Sequence, residues 1–253
     1  MIRVNTNAQR YRARLRHEHF IQYIKQRIFV DRMDAIIVVI GVKGSAKSSV
    51  VYDIAKKVDP LFTIERNEIY DADTYLDFID SAPPPATSPI LDDLATAADK
   101  TRWYEDFNRI VARIGQFGGS FRYLNFFVAP DIRQHLTDIK ALANFVITTY
   151  PEPKDRGLYT VRQAVMSQNL THPYIMYPYF SRAITQDGIR QTIEFNPCLA
   201  PKPSDEEYLA YEIHKEAFTR GVITKLRKER KSKRMTKETG AKEIDLERQV
   251  TYF

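Results

Sequence analysis

Six consecutive apolar residues, Ala35-Ile-Ile-Val-Val-Ile40, run without a break into Gly41-Val-Lys-Gly-Ser-Ala-Lys47-Ser48. Five of the six are β-branched, stiff at χ1 and suited to a pleated surface, so the run predicts a strand buried on both faces. Residues 48–58 then carry apolar side chains at helical spacing. The order is strand, glycine-bearing turn, helix. Such a turn gathers backbone N–H groups and the positive end of a helix at one point, an arrangement that attracts phosphate.

The turn matches G-x-x-x-x-G-K-[ST] except that Ala46 stands where the second glycine belongs. Gly41, Lys43, Gly44, Ser45, Ala46, Lys47, Ser48 and Ser49 are therefore the candidate ATP-binding residues. Lys47 would reach the β- and γ-phosphates, and the Ser48 hydroxyl would ligate Mg²⁺. A methyl group at position 46 strains the loop if that position needs a positive φ. A second carboxylate-bearing strand is required to hold the metal, and Pro89-Ile-Leu-Asp92-Asp93 supplies it. Asp92 is the metal-side acid, and Asp93 takes the place of the residue that polarises the attacking water. The reaction also needs positive charge opposite the γ-phosphate, for which Arg102, Arg109, Arg113 and Arg122 are candidates. Arg122 and Arg102 are preferred because each lies near the start of an element beside the Asp-Asp strand. Asn125 is a possible polar sensor of the γ-phosphate, or a buried amide bonded to backbone. The five histidines show no ligand spacing, so no zinc site is expected.

Elsewhere, strand patterns at 67–70, 89–92, 121–129 and 144–150 alternate with helical patterns at 73–81, 103–116 and 131–143. This alternation predicts an α/β fold with a mostly parallel sheet covered by helices on both faces. Aromatic-rich, shorter spacing between Leu158 and Phe195 predicts appended hairpins. Ser204-Asp-Glu-Glu207 is a capping pattern that opens a long basic C-terminal helix. Three regions are expected: a basic N-terminal helical arm over 1–30, whose Leu15, Phe20, Ile24 and Ile28 suit a helix lying across a domain surface, an ATPase core over 31–200, and a linker with basic tail over 201–253.

Charge follows the same division. The net charge is +6, yet residues 31–219 hold 20 basic against 26 acidic residues, a net of −6. Residues 1–30 carry +6 and residues 220–237 carry +8, so a polyanion should meet the two ends first. One cysteine, Cys198, calls for no disulfide, and no apolar run approaches the roughly 20 residues of a membrane span. A cytoplasmic location is expected, with no membrane span.

The loop's Gly-x-x-Gly-x-Ala-Lys-Ser order resembles the phosphate loop of minichromosome-maintenance helicases over these eight residues. A wider likeness is to P-loop ATPases of archaeal and phage-related genomes, of the zonular-occludens-toxin-like or DNA-packaging type. It runs through Lys56-Lys-Val-Asp-Pro-Leu-Phe62, Tyr70 to Asp80, Pro89 to Asp93, Arg102-Trp103 and Gln116 to Asn125. It continues through Phe127-Val-Ala-Pro130, Asp138 to Ile147 and Pro201 to Tyr208. The resemblance implies a RecA-like, Mg²⁺-dependent ATPase, working as a homo-oligomer, that moves or packages DNA for a virus or mobile element. That family shows Gly-Lys in the loop and Asp-Glu at the second motif, whereas this chain has Ala46-Lys47 and Asp92-Asp93, departures that favour slow turnover. An ATP-gated binding or scaffold protein is the alternative of a different class, and a small-molecule kinase is a third.

Overall fold

The computed structural model describes residues 6–70, 72–81, 83–92, 122–130, 142–151, 157–166, 175–186, 189–221 and 224. Residues up to Glu207 form one compact unit and those from Tyr208 a second. Eleven strands are present among the described residues: β1 (Ala35–Ile40), β2 (Glu68–Ile69), β3 (Ile90–Leu91), β4 (Leu124–Ala129), β5 (Phe145–Thr149), β6 (Leu158–Gln163), β7 (Val165–Met166), β8 (Ile175–Met176), β9 (Ser181–Gln186), β10 (Ile189–Glu194) and β11 (Cys198–Leu199). Seven of them make one sheet in the order β11-β6-β5-β1-β4-β3-β2. Its five-strand centre, β5-β1-β4-β3-β2, is parallel. β6 and β11 join antiparallel at one side, where no crossover helix is needed. Strands β9 and β10 form the hairpin expected in the aromatic-rich segment, and β7 pairs with β8.

Alternate residues of β1 feed two apolar layers. Ala35, Ile37 and Val39 face one layer, shared with α1 (Asn7–Lys25) and α2 (Lys47–Val58), while Ile36 and Val38 face the other, shared with α4 (Ala72–Asp80). The short α3 (Ile64–Asn67) leads into β2. Helices therefore cover both faces, which is why β1 reads as continuously apolar instead of alternating.

The N-terminal residues, expected as an arm, belong to this same unit. Helix α1 inserts Phe20 and Ile24 fully into the core, and Phe20 meets Phe145, Phe180 and Phe195 edge-on. A π-helical turn, Gln26–Val30, continues it and buries Ile28. His17 is buried between two elements, its Nε2 donating to Asp53 Oδ2 of α2 at 2.5 Å and its Nδ1 2.7 Å from the Tyr159 hydroxyl of β6. Burial pushes the Tyr159 phenol well above its ordinary range, so it stays a donor. Lys57 of α2 bridges Asp53 at 3.1 Å and Glu18 of α1 at 2.7 Å. The two helices are thus clasped by charged hydrogen bonds as well as by apolar contact.

Asp59 closes the turn after α2. Its buried carboxylate accepts from Leu61 N at 2.9 Å, Ser88 N at 3.0 Å and Asn67 Nδ2 at 2.9 Å, tying the end of α2 to the entries of β2 and β3. Asp59→Ala strands two of these donors in the interior, each worth about 1–3 kcal/mol when unpaired. We expect a loss of about 3 kcal/mol, read as a shifted urea midpoint with an unchanged slope.

Ser204 opens the helix over 205–221 as the capping pattern requires. Its N–H donates to Glu207 Oε2 at 2.9 Å and Glu207 N donates to Ser204 Oγ at 3.1 Å. The second unit contains the body of this helix, and the basic run over 225–237 lies outside the described residues. No helix among the described residues is long and apolar enough to cross a membrane.

Candidate functional site

The segment Gly41–Ala46 connects β1 to α2 at the carboxyl edge of the parallel strands, the edge where open α/β sheets place their ligands. Gly41 is pressed against β5. A Cβ there would fall on the Thr149 hydroxyl and lie 2.9 Å from the Thr149 carbonyl oxygen, so only glycine fits. Gly44 has φ +81°, and Ala46, at the N-cap of α2, has φ +61° and ψ +32°. The strain raised by the alanine is therefore present. It costs about 1–2 kcal/mol for an L-residue, against about 0.5–1 kcal/mol of entropy that glycine would forfeit. The two effects nearly offset, and we expect Ala46→Gly to leave stability within about 1 kcal/mol of the parent, by chemical unfolding.

The side chains around the loop converge. Lys47 Nζ donates to Gly41 O at 2.7 Å and Val42 O at 3.3 Å, curling back over the turn. Ser45 N donates to Val42 O at 3.1 Å. Ser48, in the first turn of α2, donates its hydroxyl to Asp92 Oδ2 at 3.2 Å. Asp92 is buried at the end of β3, and β4 lies between β3 and β1. Strands in a sheet are about 4.8 Å apart, so β1 and β3 stand roughly 10 Å apart. The contact exists because α2 starts over the end of β4 and carries Ser48 across it. Hydroxyl and carboxylate are the hard oxygen donors that Mg²⁺ takes, usually beside several waters. Among the described residues there is no group of three or more His, Cys, Asp or Glu able to hold a metal, and a site built on one hydroxyl and one carboxylate needs none.

Thr149, at the end of β5, is the residue that the sequence pattern misses. Its hydroxyl donates to Ile40 O at 3.2 Å, which spends its single proton, so the 2.7 Å bond between Thr149 Oγ1 and Ser45 Oγ must have serine as donor. Ser45 and Thr149 are both buried. The relay Ser45 to Thr149 to Ile40 fixes the loop to β5, four strands after β1 in chain order but its neighbour in the sheet. The only sequence signal was a hydroxyl at the end of a buried apolar run. Thr149→Val keeps the shape and leaves the Ser45 hydroxyl unpaired, so a stability loss of about 1–3 kcal/mol is expected, with restoration in Thr149→Ser. Thermal denaturation checks both.

The other candidates divide. Lys43 and Gly44 are exposed at the loop tip, and Ser49 is half-buried on α2 beside Ser48. Asp93, Arg102, Arg109 and Arg113 lie outside the described residues. Arg122 precedes β4, with φ +56° and its carbonyl accepting from Ala86 N at 3.0 Å. Ala129, not Arg122, is in register with Ile40 at the loop end of β1. At about 3.3 Å per residue, Arg122 stands roughly 23 Å from that edge, so it does not face the loop of its own chain. The same geometry decides between the two readings of Asn125, which pairs with Ile36 near the opposite edge and accepts from the buried Tyr75 hydroxyl at 2.9 Å, a side chain where a backbone partner was expected. It is a core amide and not a phosphate sensor. Cys198 is buried and its thiol is pushed up to about 12 by desolvation, which leaves it unreactive.

Against protein-family models, curated proteins and solved structures, the chain finds no match.

Proposed function

We propose that this protein binds ATP with Mg²⁺ through the Gly41–Ser49 loop and hydrolyses it slowly as a P-loop ATPase, coupling turnover to the handling of nucleic acid. The observation that carries the reading is the 3.2 Å bond between Ser48 and Asp92, residues 44 positions apart on separate elements, at the mouth of a glycine-bearing turn that starts a helix. An ordinary strand-to-helix turn has no reason to bring a hydroxyl and a buried carboxylate together beside a lysine.

In this reading Lys47 exchanges its contacts with Gly41 O and Val42 O for the phosphates. Backbone N–H groups at the start of α2 bind the same charge. Ser48 and Asp92 hold the metal, whose role is to neutralise charge on the β- and γ-oxygens. Asp93 orients water, one methylene short of the usual glutamate. Arg102, or Arg122 acting on a neighbouring subunit, supplies the remaining positive charge. The location implied is cytoplasmic, and the genome-handling role follows the family resemblance together with the basic ends.

A second reading is an ATP-gated scaffold with incidental turnover. The left-handed Ala46 favours it, because a loop strained at this point is less free to adjust during a reaction cycle. Turnover of ATP by the purified chain, with and without single- and double-stranded DNA and over a range of protein concentration, separates the two. Turnover stimulated by DNA supports the motor, ATP binding without turnover supports the scaffold, and absence of ATP binding removes both.

A further inference from the structure

Helix α1 turns one face into the core and leaves the other to solvent, and the solvent face is chemically unusual. Tyr11 is 64% exposed and Leu15, one turn later, 39%. At 100° per residue, Arg12 lies about 100° to one side of Tyr11 and Arg14 about 60° to the other. Both arginines are exposed. Neither has an ion-pair or hydrogen-bond partner among the described residues. Two other charges of the same helix are engaged: Arg16 donates to Pro197 O at 3.3 Å, and Glu18 holds Lys57.

We propose that this face, Tyr11 and Leu15 flanked by Arg12 and Arg14, is the nucleic-acid contact of the folded domain, the arginines pairing with backbone phosphates and Tyr11 offering a ring for stacking. The inference rests on the nucleic-acid half of the proposed function and places it on a particular helix. Charge complementarity selects the occupant. Residues 1–30 carry +6 while residues 31–219 carry −6, so a polyanion is repelled by most of the domain and drawn to this helix. An exposed aromatic between two guanidinium groups suits a strand of nucleotides, whose bases stack as its phosphates pair. The contact would also reach the phosphate loop mechanically. His17 and Glu18, on the same helix, grip Asp53 and Lys57 of α2, and α2 begins at Lys47.

The test uses the full chain and short labelled single- and double-stranded oligonucleotides, with fluorescence anisotropy measured across a salt series. The double variant Arg12→Gln, Arg14→Gln should bind at least about tenfold more weakly at low salt. The slope of log affinity against log salt should fall by about 1.4–1.8, since each lost phosphate contact removes about 0.7–0.9. Tyr11→Ala should weaken the single strand more than the duplex, and Tyr11→Phe should restore it. Unchanged affinity and slope in the double variant, with wild-type binding intact, overturn this assignment alone. Failure of the wild-type chain to bind either oligonucleotide overturns it together with the nucleic-acid half of the function, while ATP binding would still stand. Binding to phosphatidylserine vesicles that the double variant loses, with DNA binding retained, overturns it in favour of a lipid surface.

Discussion

Lys47→Ala should reduce ATP affinity and turnover at least about 100-fold, because a charged donor facing phosphate in a partly water-excluded turn is worth far more than its counterpart in solvent. Lys47 is half-buried and already bonded to Gly41 O and Val42 O. Its removal takes the donor from these two carbonyls, a cost of about 1 kcal/mol per bond that is separate from the loss on binding. Titration with a fluorescent ATP analogue measures affinity, and thermal denaturation shows that the fold persists. Affinity and turnover both unchanged would mean that the loop is an ordinary turn.

Asp92→Asn should abolish the Mg²⁺-dependent part of binding and lower turnover by about 100-fold or more, as expected when a metal-side charge is lost from a site that clamps phosphate. The amide can still accept from Ser48, so the 3.2 Å contact to that hydroxyl has a substitute and the fold is spared. Charge is what disappears. Isothermal titration of ATP with and without Mg²⁺ checks it: the parent should bind more tightly with metal, and the variant should bind equally in both. Retention of the full metal effect in the variant would place the metal elsewhere. Asp93→Asn provides the contrast, with binding kept and hydrolysis slowed, and identical behaviour of the two variants would overturn the division of roles.

Strand composition made the parallel core legible. The runs at 35–40, 126–129 and 145–147 are apolar without alternation because each strand is covered on both faces, and that burial leaves a signature in the residues themselves. The capping box at Ser204 was equally plain, since its two hydrogen bonds join residues three apart. Helix α1 was legible as a helix lying across the domain surface, but not in its depth: Phe20 and Ile24, with Ile28 of the π-helical turn, are fully buried, while Leu15 is 39% exposed. Its four arginines over residues 10–16 resemble a solvated arm, whereas burial is decided by the opposite stripe of Ala13, His17, Phe20 and Ile24.

By itself, then, the sequence determined what is local: the β-branched strand, the glycine-bearing turn, the lysine and serine that follow it, and the two acids after the third strand. Only the tertiary structure decided which distant groups meet. Strand order sets β4 between β1 and β3 and β5 beside β1. That order puts Thr149 under the loop, Asp92 against Ser48, and Arg122 and Asn125 at the opposite edge. The physical reason is that pairing register and crossover direction depend on side-chain packing summed over the whole sheet, which no short stretch of sequence encodes.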